Sequence, residues 1–252
     1  MKHVFLTGAS SGIGHAIALE YAAKGAHLYV AARREKELTS LVSRIEKSGG
    51  SATAVPLDVS DPAAVLAALK AADKASGGLD VVIANAGVGT GDHAKSFEWN
   101  EVEKQLAVNV VGAIATVTHA IPLMKKRGRG HLVAVTSLAG RRGLPVGGVY
   151  SATKAAVSVY MESLRSALAS DGIRVTDVQP GFVETPMTAK NTFKMPFKWT
   201  AEQAAKYIVK KLERAPAIIA FPIPLDAATR LLGVLPNVAF DPIARRAAKQ
   251  NR

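Results

Sequence analysis

Seven short apolar runs, separated by longer stretches with helical spacing, leave this chain few folds to choose from. The runs are HVFLT (3–7), AHLYVAA (26–32), ATAVPL (52–57), LDVVIA (79–84), HLVAVTS (131–137), IRVTDVQP (173–180) and AIIAF (217–221). Most are continuously apolar rather than alternating, the pattern of strands covered on both faces. Between them lie patterns such as GHAIALEYAAKG and AAVLAALKAADKA. Ser60-Asp61-Pro62 gives the second of these an N-cap and a first-turn proline. Thr200 and Gln203 form a capping box before a helix at about 201–214. Such alternation implies a parallel sheet with right-handed crossovers and helices on both faces. The expectation is one doubly wound α/β domain over residues 1–252 with a seven-stranded, mostly parallel sheet. It divides into a core (1–181), an irregular loop (182–199), and a last strand with an unusual tail (217–252). In such sheets ligands bind beyond the carboxyl ends of the strands.

The 252 residues contain no cysteine, which excludes disulfides, thiolate metal sites and a cysteine nucleophile. His15, His93, His119 and His131 have no metal-ligand spacing, so no metal is expected. The net charge is +12, but the cationic clusters (Arg33 to Lys36, Lys125 to Arg129, Arg141-Arg142, Arg245 to Lys249) lack interleaved aromatics. They read as a solvated basic surface that attracts anionic ligands, not as a nucleic-acid site. The start, MKHVFLTGASSG, has too short an apolar core for an export signal, and a cytoplasmic location is expected. The apolar stretch 217–240 is broken by Pro222, Pro224, Asp226, Arg230 and Pro236 and does not read as a membrane span.

The first strand runs into TGASSGIG (7–14) and then a helix. Gly8, Gly12 and Gly14 permit a tight turn and close approach of backbone to a pyrophosphate, with Ser10, Ser11 and Ile13 between them. The helix start offers N–H groups and a positive dipole end. A dinucleotide is the expected ligand and the domain is of Rossmann type. About 20 residues on, an NAD-binding chain places an acid on the ribose hydroxyl. Here the second strand ends Ala31-Ala32 and is followed by Arg33 and Arg34. Arginine pairs with the extra phosphate that an acid would repel, so NADP(H) is expected over NAD(H).

Tyr150 and Lys154 stand one helical turn apart, and Ser137 ends a strand at the carboxyl edge. A phenol of ordinary pKa about 10 is a poor proton carrier at neutral pH. A neighbouring ammonium and a positive nicotinamide ring are expected to lower it, while Ser137 holds the substrate oxygen. TGASSGIG (7–14), Asp58-Val59, NAG (85–87), Asn109, Ser137, YSATK (150–154) and PGFVET (180–185) follow one another in order over roughly residues 2–190. In this the chain resembles the short-chain dehydrogenase/reductase family, in its larger NAD(P)-dependent branch. The resemblance implies a hydride-transfer enzyme with Tyr150 as general acid/base and Ser137 polarising the substrate carbonyl. Lys154 would hold the nicotinamide ribose, and Asn109 a water linking Lys154 to solvent. It also implies that Asp58 and Val59 contact adenine and that Asn85, Ala86 and Gly87 line the cofactor cleft. Pro180, Gly181, Val183 and Thr185 would contact the nicotinamide amide and neighbouring phosphates.

Substrate walls are expected from 138–146, 88–95 and the loop 182–199, with Met187, Phe193, Met195, Phe197 and Trp199 suggesting an apolar or aromatic carbonyl compound or alcohol. The tail departs from the family, which puts its usual tetramer in doubt. A homodimer through helices at about 97–125 and 150–170 is the expected assembly. The tail's apolar residues suit a lid, a subunit contact or peripheral contact with anionic lipid. An NAD-linked alcohol dehydrogenase and a non-catalytic dinucleotide sensor are the other readings.

Overall fold

The computed structural model describes residues 1–89, 98–191 and 194–250. Its strands are β1 (His3–Thr7), β2 (His27–Ala32), β3 (Ser51–Pro56), β4 (Val81–Ala84), β5 (Gly130–Val135), β6 (Ile173–Pro180) and β7 (Ile218–Phe221). They form one sheet in the order β3-β2-β1-β4-β5-β6-β7. Every neighbouring pair is parallel, so the sheet is wholly rather than mostly so. After β3 the chain crosses back to lay β4 beside β1. The strand order reverses there, which is where a doubly wound sheet opens its crevice.

The helices are α1 (Gly12–Ala23), α2 (Glu35–Lys47), α3 (Pro62–Ser76), α4 (Trp99–Gln105), α5 (Ala113–Lys125), α6 (Gly148–Ala167), α7 (Ala201–Leu212), α8 (Ile223–Val234) and α9 (Asn237–Gln250). One face of the sheet is covered by α1, α2 and α7, the other by α3, α5 and α6. α2 shows why: Leu38, Leu41 and Ile45 share one stripe and are fully buried, while its charges stay outside. Each such burial stabilises by about 1.5–3 kcal/mol. The caps read from the sequence are present. Asp61 accepts from the N–H groups of Ala63 and Ala64 at 2.9 and 3.1 Å, and Thr200 and Gln203 close their box.

Between α4 and α5, Leu106–Gly112 winds as a π-helix. Gly112 allows it to press on the loop after β3: a Cβ there would lie 2.8 Å from the Val59 carbonyl oxygen. The run Trp99–Lys125 is long and apolar enough to cross a bilayer. Here, however, Val108, Ala113, Val117, Ala120 and Met124 are core residues of the second layer. The tail is helical, and no residue of α8 is fully buried.

Candidate active site

At the carboxyl end of β1 the chain turns through Gly8 (φ 70°) and Gly12 (φ 59°) into α1. A Cβ on Gly8 would lie 2.7 Å from the Ala86 Cα, and one on Gly14 would collide with the Asn85 amide and the Gly8 carbonyl. The loop after β4 is what makes glycine necessary. Asn85 donates from Nδ2 to the carbonyls of Thr7 and Gly8 at 3.0 and 3.2 Å. Thr7 Oγ1 in turn accepts from the N–H groups of Asn85 and Ala86 at 3.0 and 3.2 Å. Asn85 thus clamps the phosphate loop, and Thr7, the first residue of TGASSGIG, is its partner.

The first turn of α1 has no acidic residue, and its N-cap Ser11 makes no side-chain cap. Ser11 instead accepts from Arg34 Nη2 at 2.7 Å, and Ser10 accepts from the same nitrogen at 2.8 Å. Arg33 lies 3.7 Å from the Asp58 carboxylate. Burial works to raise the Asp58 pKa, but hydrogen bonds from Ser60 and the charge of Arg33 outweigh it and hold the carboxyl below its ordinary value. Glycine turn, uncapped helix start and two arginines suit the pyrophosphate and ribose of a dinucleotide.

Every residue assigned above to the cofactor lines one cleft of about 470 Å³, and so does Ser137. Tyr150 and Lys154 enter it from the first two turns of α6. Ser137 caps the 3₁₀ turn Leu138–Arg141: its Oγ accepts from the Ala139 N–H at 3.1 Å and donates to the Pro180 carbonyl at 3.4 Å. Lys154 is buried, donates to the Val135 carbonyl at 3.0 Å and has Nζ 5.7 Å from the centre of the Tyr150 ring. Burial lowers its pKa from 10.5 to about 8, against the pull of the Asp177 carboxylate. Burial also raises the Tyr150 pKa, a hydrogen bond with Ser137 working the other way. Without a nicotinamide ring beside it, desolvation is the larger influence on the phenol.

One cleft holds a phosphate loop and a Ser–Tyr–Lys set, and a family model described as short chain dehydrogenase matches residues 2–195. The chain belongs to the short-chain dehydrogenase/reductase family. It is an NAD(P)-dependent oxidoreductase of that family. An uncharacterized oxidoreductase of Myxococcus xanthus is 44% identical over 97% of each chain. A short chain dehydrogenase/reductase from Burkholderia phymatum in complex with NAD is 26% identical, with a TM-score of 0.86 over 95% of each chain. An alcohol dehydrogenase from the archaeon Thermococcus sibiricus complexed with 5-hydroxy-NADP is 28% identical, with a TM-score of 0.78 over 88% of this chain and 95% of its own. The two solved neighbours hold different dinucleotides, so family membership does not choose between them.

Within this family member, Asn109, assigned beside Ser137, Tyr150 and Lys154, does not line the cleft as they do. It is buried in the π-helix, accepts from the Val88 N–H and donates to the Val88 carbonyl, both at 2.8 Å, and donates to Thr153 Oγ1 at 3.1 Å. Thr153 in turn donates to the Tyr150 carbonyl at 2.7 Å. Asn109 thus ties the loop after β4 to the helix carrying Tyr150. A Cβ on Gly87 would lie 3.3 Å from Lys154 Nζ and 3.4 Å from Asn109 Oδ1, so these two groups flank the same glycine.

The substrate walls only partly match expectation. Met187 lines the cleft, and a Cβ on Gly89 would sit 3.3 Å from its sulfur and 3.7 Å from the Tyr150 ring. Trp199 does not line it: the indole stacks on Phe221 at 4.9 Å and meets Tyr207 edge-on at 5.4 Å, inside the first layer. Phe197 is exposed, and neither it nor Met195 lines the cleft. Apolar content marked these residues, but the backbone pairing of Val183 with Trp199 turns that end of the loop toward α7. Residues 90–95, His93 among them, and Phe193 lie outside the described residues. Thr188 was missed; it donates to the Val183 carbonyl at 2.6 Å and bonds Thr185, a turn foreshadowed by two threonines three residues apart.

Proposed function

We propose that this oxidoreductase interconverts carbonyl compounds and secondary alcohols, with NADP(H) as preferred cofactor. The carrying observation is that Ser137, Tyr150 and Lys154 share the cleft of the glycine loop. Bound NADP(H) supplies or accepts the hydride. Tyr150 holds a proton at its phenol oxygen and gives it to the substrate oxygen in the direction of carbonyl reduction. Ser137 orients and polarises the substrate oxygen. Lys154 holds the ribose hydroxyls and places positive charge beside the phenol. Asn109 is read as holding a water on the path from Lys154 to solvent, supported by their shared contact with Gly87.

The NADP(H) preference rests on Arg33 and Arg34 at the end of β2, where an NAD enzyme carries an acid. Met187 and Val88 favour an apolar or aromatic substrate. A homodimer through the helical run 99–125 and α6 is supported by the exposure of Leu106 and Val111 in the π-helix and of Val159 on α6.

The test is consumption of NADPH and NADH against ketones, aldehydes and quinones, with Tyr150→Phe alongside. Turnover with NADPH should fall about 10²–10⁴-fold in the variant while NADPH affinity holds within about twofold. Tight NADPH binding without turnover of any carbonyl would favour the sensor reading. Preference for NADH, unchanged in Arg33→Ala, would sink the cofactor assignment.

A further inference from the structure

The turn that carries Ser137 is fastened to the end of β6 by a chain of buried polar groups that continues into the tail. Thr136 donates from Oγ1 to Asp177 at 2.5 Å and from its N–H to the Val178 carbonyl at 2.7 Å. Ser137 follows with its bond to Pro180. At the far end of the turn, Arg141 donates from Nε and Nη2 to Gln179 Oε1 at 2.9 and 2.6 Å. Gln179 closes the circuit by donating from Nε2 to Asp177 at 2.7 Å. Thr136, Asp177 and Gln179 are all buried.

The third nitrogen of Arg141 faces α8. Nη1 is 2.6 Å from the Asp226 carboxylate and donates to the Asp226 carbonyl and to Thr229 Oγ1, both at 3.0 Å. Arg142 extends the grip, donating to the Gly233 carbonyl at 3.2 Å and Asn237 Oδ1 at 2.7 Å, with its guanidinium 4.3 Å from the centre of the Phe240 ring. Among the described residues, none of α8 or α9 lines the cleft.

We propose that Arg141 is a positioning residue that holds the Ser137 hydroxyl in its working orientation, and that the tail helix α8 fixes Arg141 through Asp226. This rests on the reading of Ser137 and Tyr150 as the proton-transfer site. Ser137 Oγ accepts from within its own turn and donates to β6, so its direction depends on how the turn sits against that strand. Loss of the guanidinium leaves Gln179 Oε1 without its donor and Asp226 with Arg230 alone as its cation, and frees the far end of the turn. A misplacement of about 1 Å costs on the order of 10²-fold in rate.

The experiment is steady-state kinetics of Arg141→Met, Arg141→Lys, Asp226→Asn and the Arg141→Met/Asp226→Asn double variant, with NADPH affinity, thermal midpoint and Tyr150→Phe measured in parallel. Arg141→Met should lower kcat about 10–100-fold with NADPH affinity within about twofold. Arg141→Lys should stay impaired because an ammonium cannot fork between Gln179 and Asp226. Asp226→Asn should cost about 3–10-fold, and the double variant should be no worse than Arg141→Met, since both act through one contact. Wild-type kcat in Arg141→Met beside an inactive Tyr150→Phe overturns the proposal, as do additive losses or a fall in NADPH affinity in step with kcat. Should Arg141→Met not fold, Arg141→Lys and Asp226→Asn decide on the same terms. Full activity in Tyr150→Phe overturns the underlying reading, and the proposal with it.

Discussion

Arg127 and Lys154 are both cations drawn away from solvent, at opposite edges of one sheet, and their surroundings differ in kind. At the amino edge, Arg127 donates from Nη1 to both oxygens of Asp73, at 2.7 and 3.0 Å, and from Nη2 to the Leu79 carbonyl at 2.8 Å. Asp73 also accepts from the Leu79 N–H at 2.9 Å, so one ion pair satisfies both polar groups of the residue leading into β4. At the carboxyl edge, Lys154 is more deeply buried, and its hydrogen bond goes to a single carbonyl. The nearby Asp177 spends its oxygens on Thr136, Ser158 and Gln179. One edge neutralises its buried charge to hold the chain together. The other keeps a buried charge without a direct ion pair where a ligand enters.

Replacing each cation by methionine tests that contrast, and the larger effect belongs to Lys154. Lys154→Met should lower kcat/KM about 10³-fold or more, since it removes charge from both phenol and ribose. It should also leave the fold as stable or more stable, by on the order of 1 kcal/mol, because a buried cation lacking a carboxylate partner has gone. Linkage gives a second readout. The folded pKa of about 8 lies below 10.5, so between these values the unfolded chain binds more protons and wild-type stability rises with pH. Lys154→Met should flatten that rise in urea titrations. A large destabilisation instead would make Lys154 a structural residue.

Arg127→Met should do the reverse. Breaking a largely buried pair leaves Asp73 uncompensated and should cost about 3 kcal/mol in denaturant unfolding. The kcat of the folded fraction should remain that of the wild type. Loss of kcat without loss of stability would erase the distinction between the two edges.

The amino-acid sequence is informative where structure is local. Strands covered on both faces must be continuously apolar, so all seven runs are strands to within about two residues; the run 131–137, for instance, became Gly130–Val135. The glycine loop and the Tyr150–Lys154 pair are single-turn features and declare themselves by spacing. Long-range contacts do not. Gln179 and Asp226 meet Arg141 across 38 and 85 residues, and nothing near any of them announces the bond. Trp199 and Met187 look alike as apolar loop residues, yet one joins the core and the other the cleft. The desolvation of Tyr150 is likewise invisible in the sequence, since burial depends on what the fold packs around the ring. The π-helix at Asn109 has no periodic signature in a run that is apolar on most sides.

The amino edge carries one more buried basic group, and its effect is confined to acid pH. His131 near the start of β5 is buried, with Nε2 2.9 Å from Thr176 Oγ1. Thr176 spends its hydroxyl proton on the Pro216 carbonyl at 2.6 Å, so the imidazole donates from Nε2. Burial, followed by the charges of Arg174 and Lys2, lowers its pKa from 6.5 to about 3. Between these values the unfolded chain binds the extra proton, so this contribution is intact above pH 6.5 and is lost as the pH falls toward 3. Wild-type stability should drop by about 3 kcal/mol between pH 7 and pH 4 through this residue. His131→Gln keeps a donor for Thr176 and cannot titrate, so its urea midpoint should fall much less over that range. A residual slope is expected, because burial also lowers the pKa of His15 and His27. Parallel curves for wild type and variant would clear His131 and shift the acid sensitivity onto carboxylates such as Asp58 and Asp226, whose lowered pKa values give stability that is likewise lost in acid. Both lie toward the carboxyl edge, so that outcome would make the catalytic end, not the amino edge, the place where acid first loosens the fold.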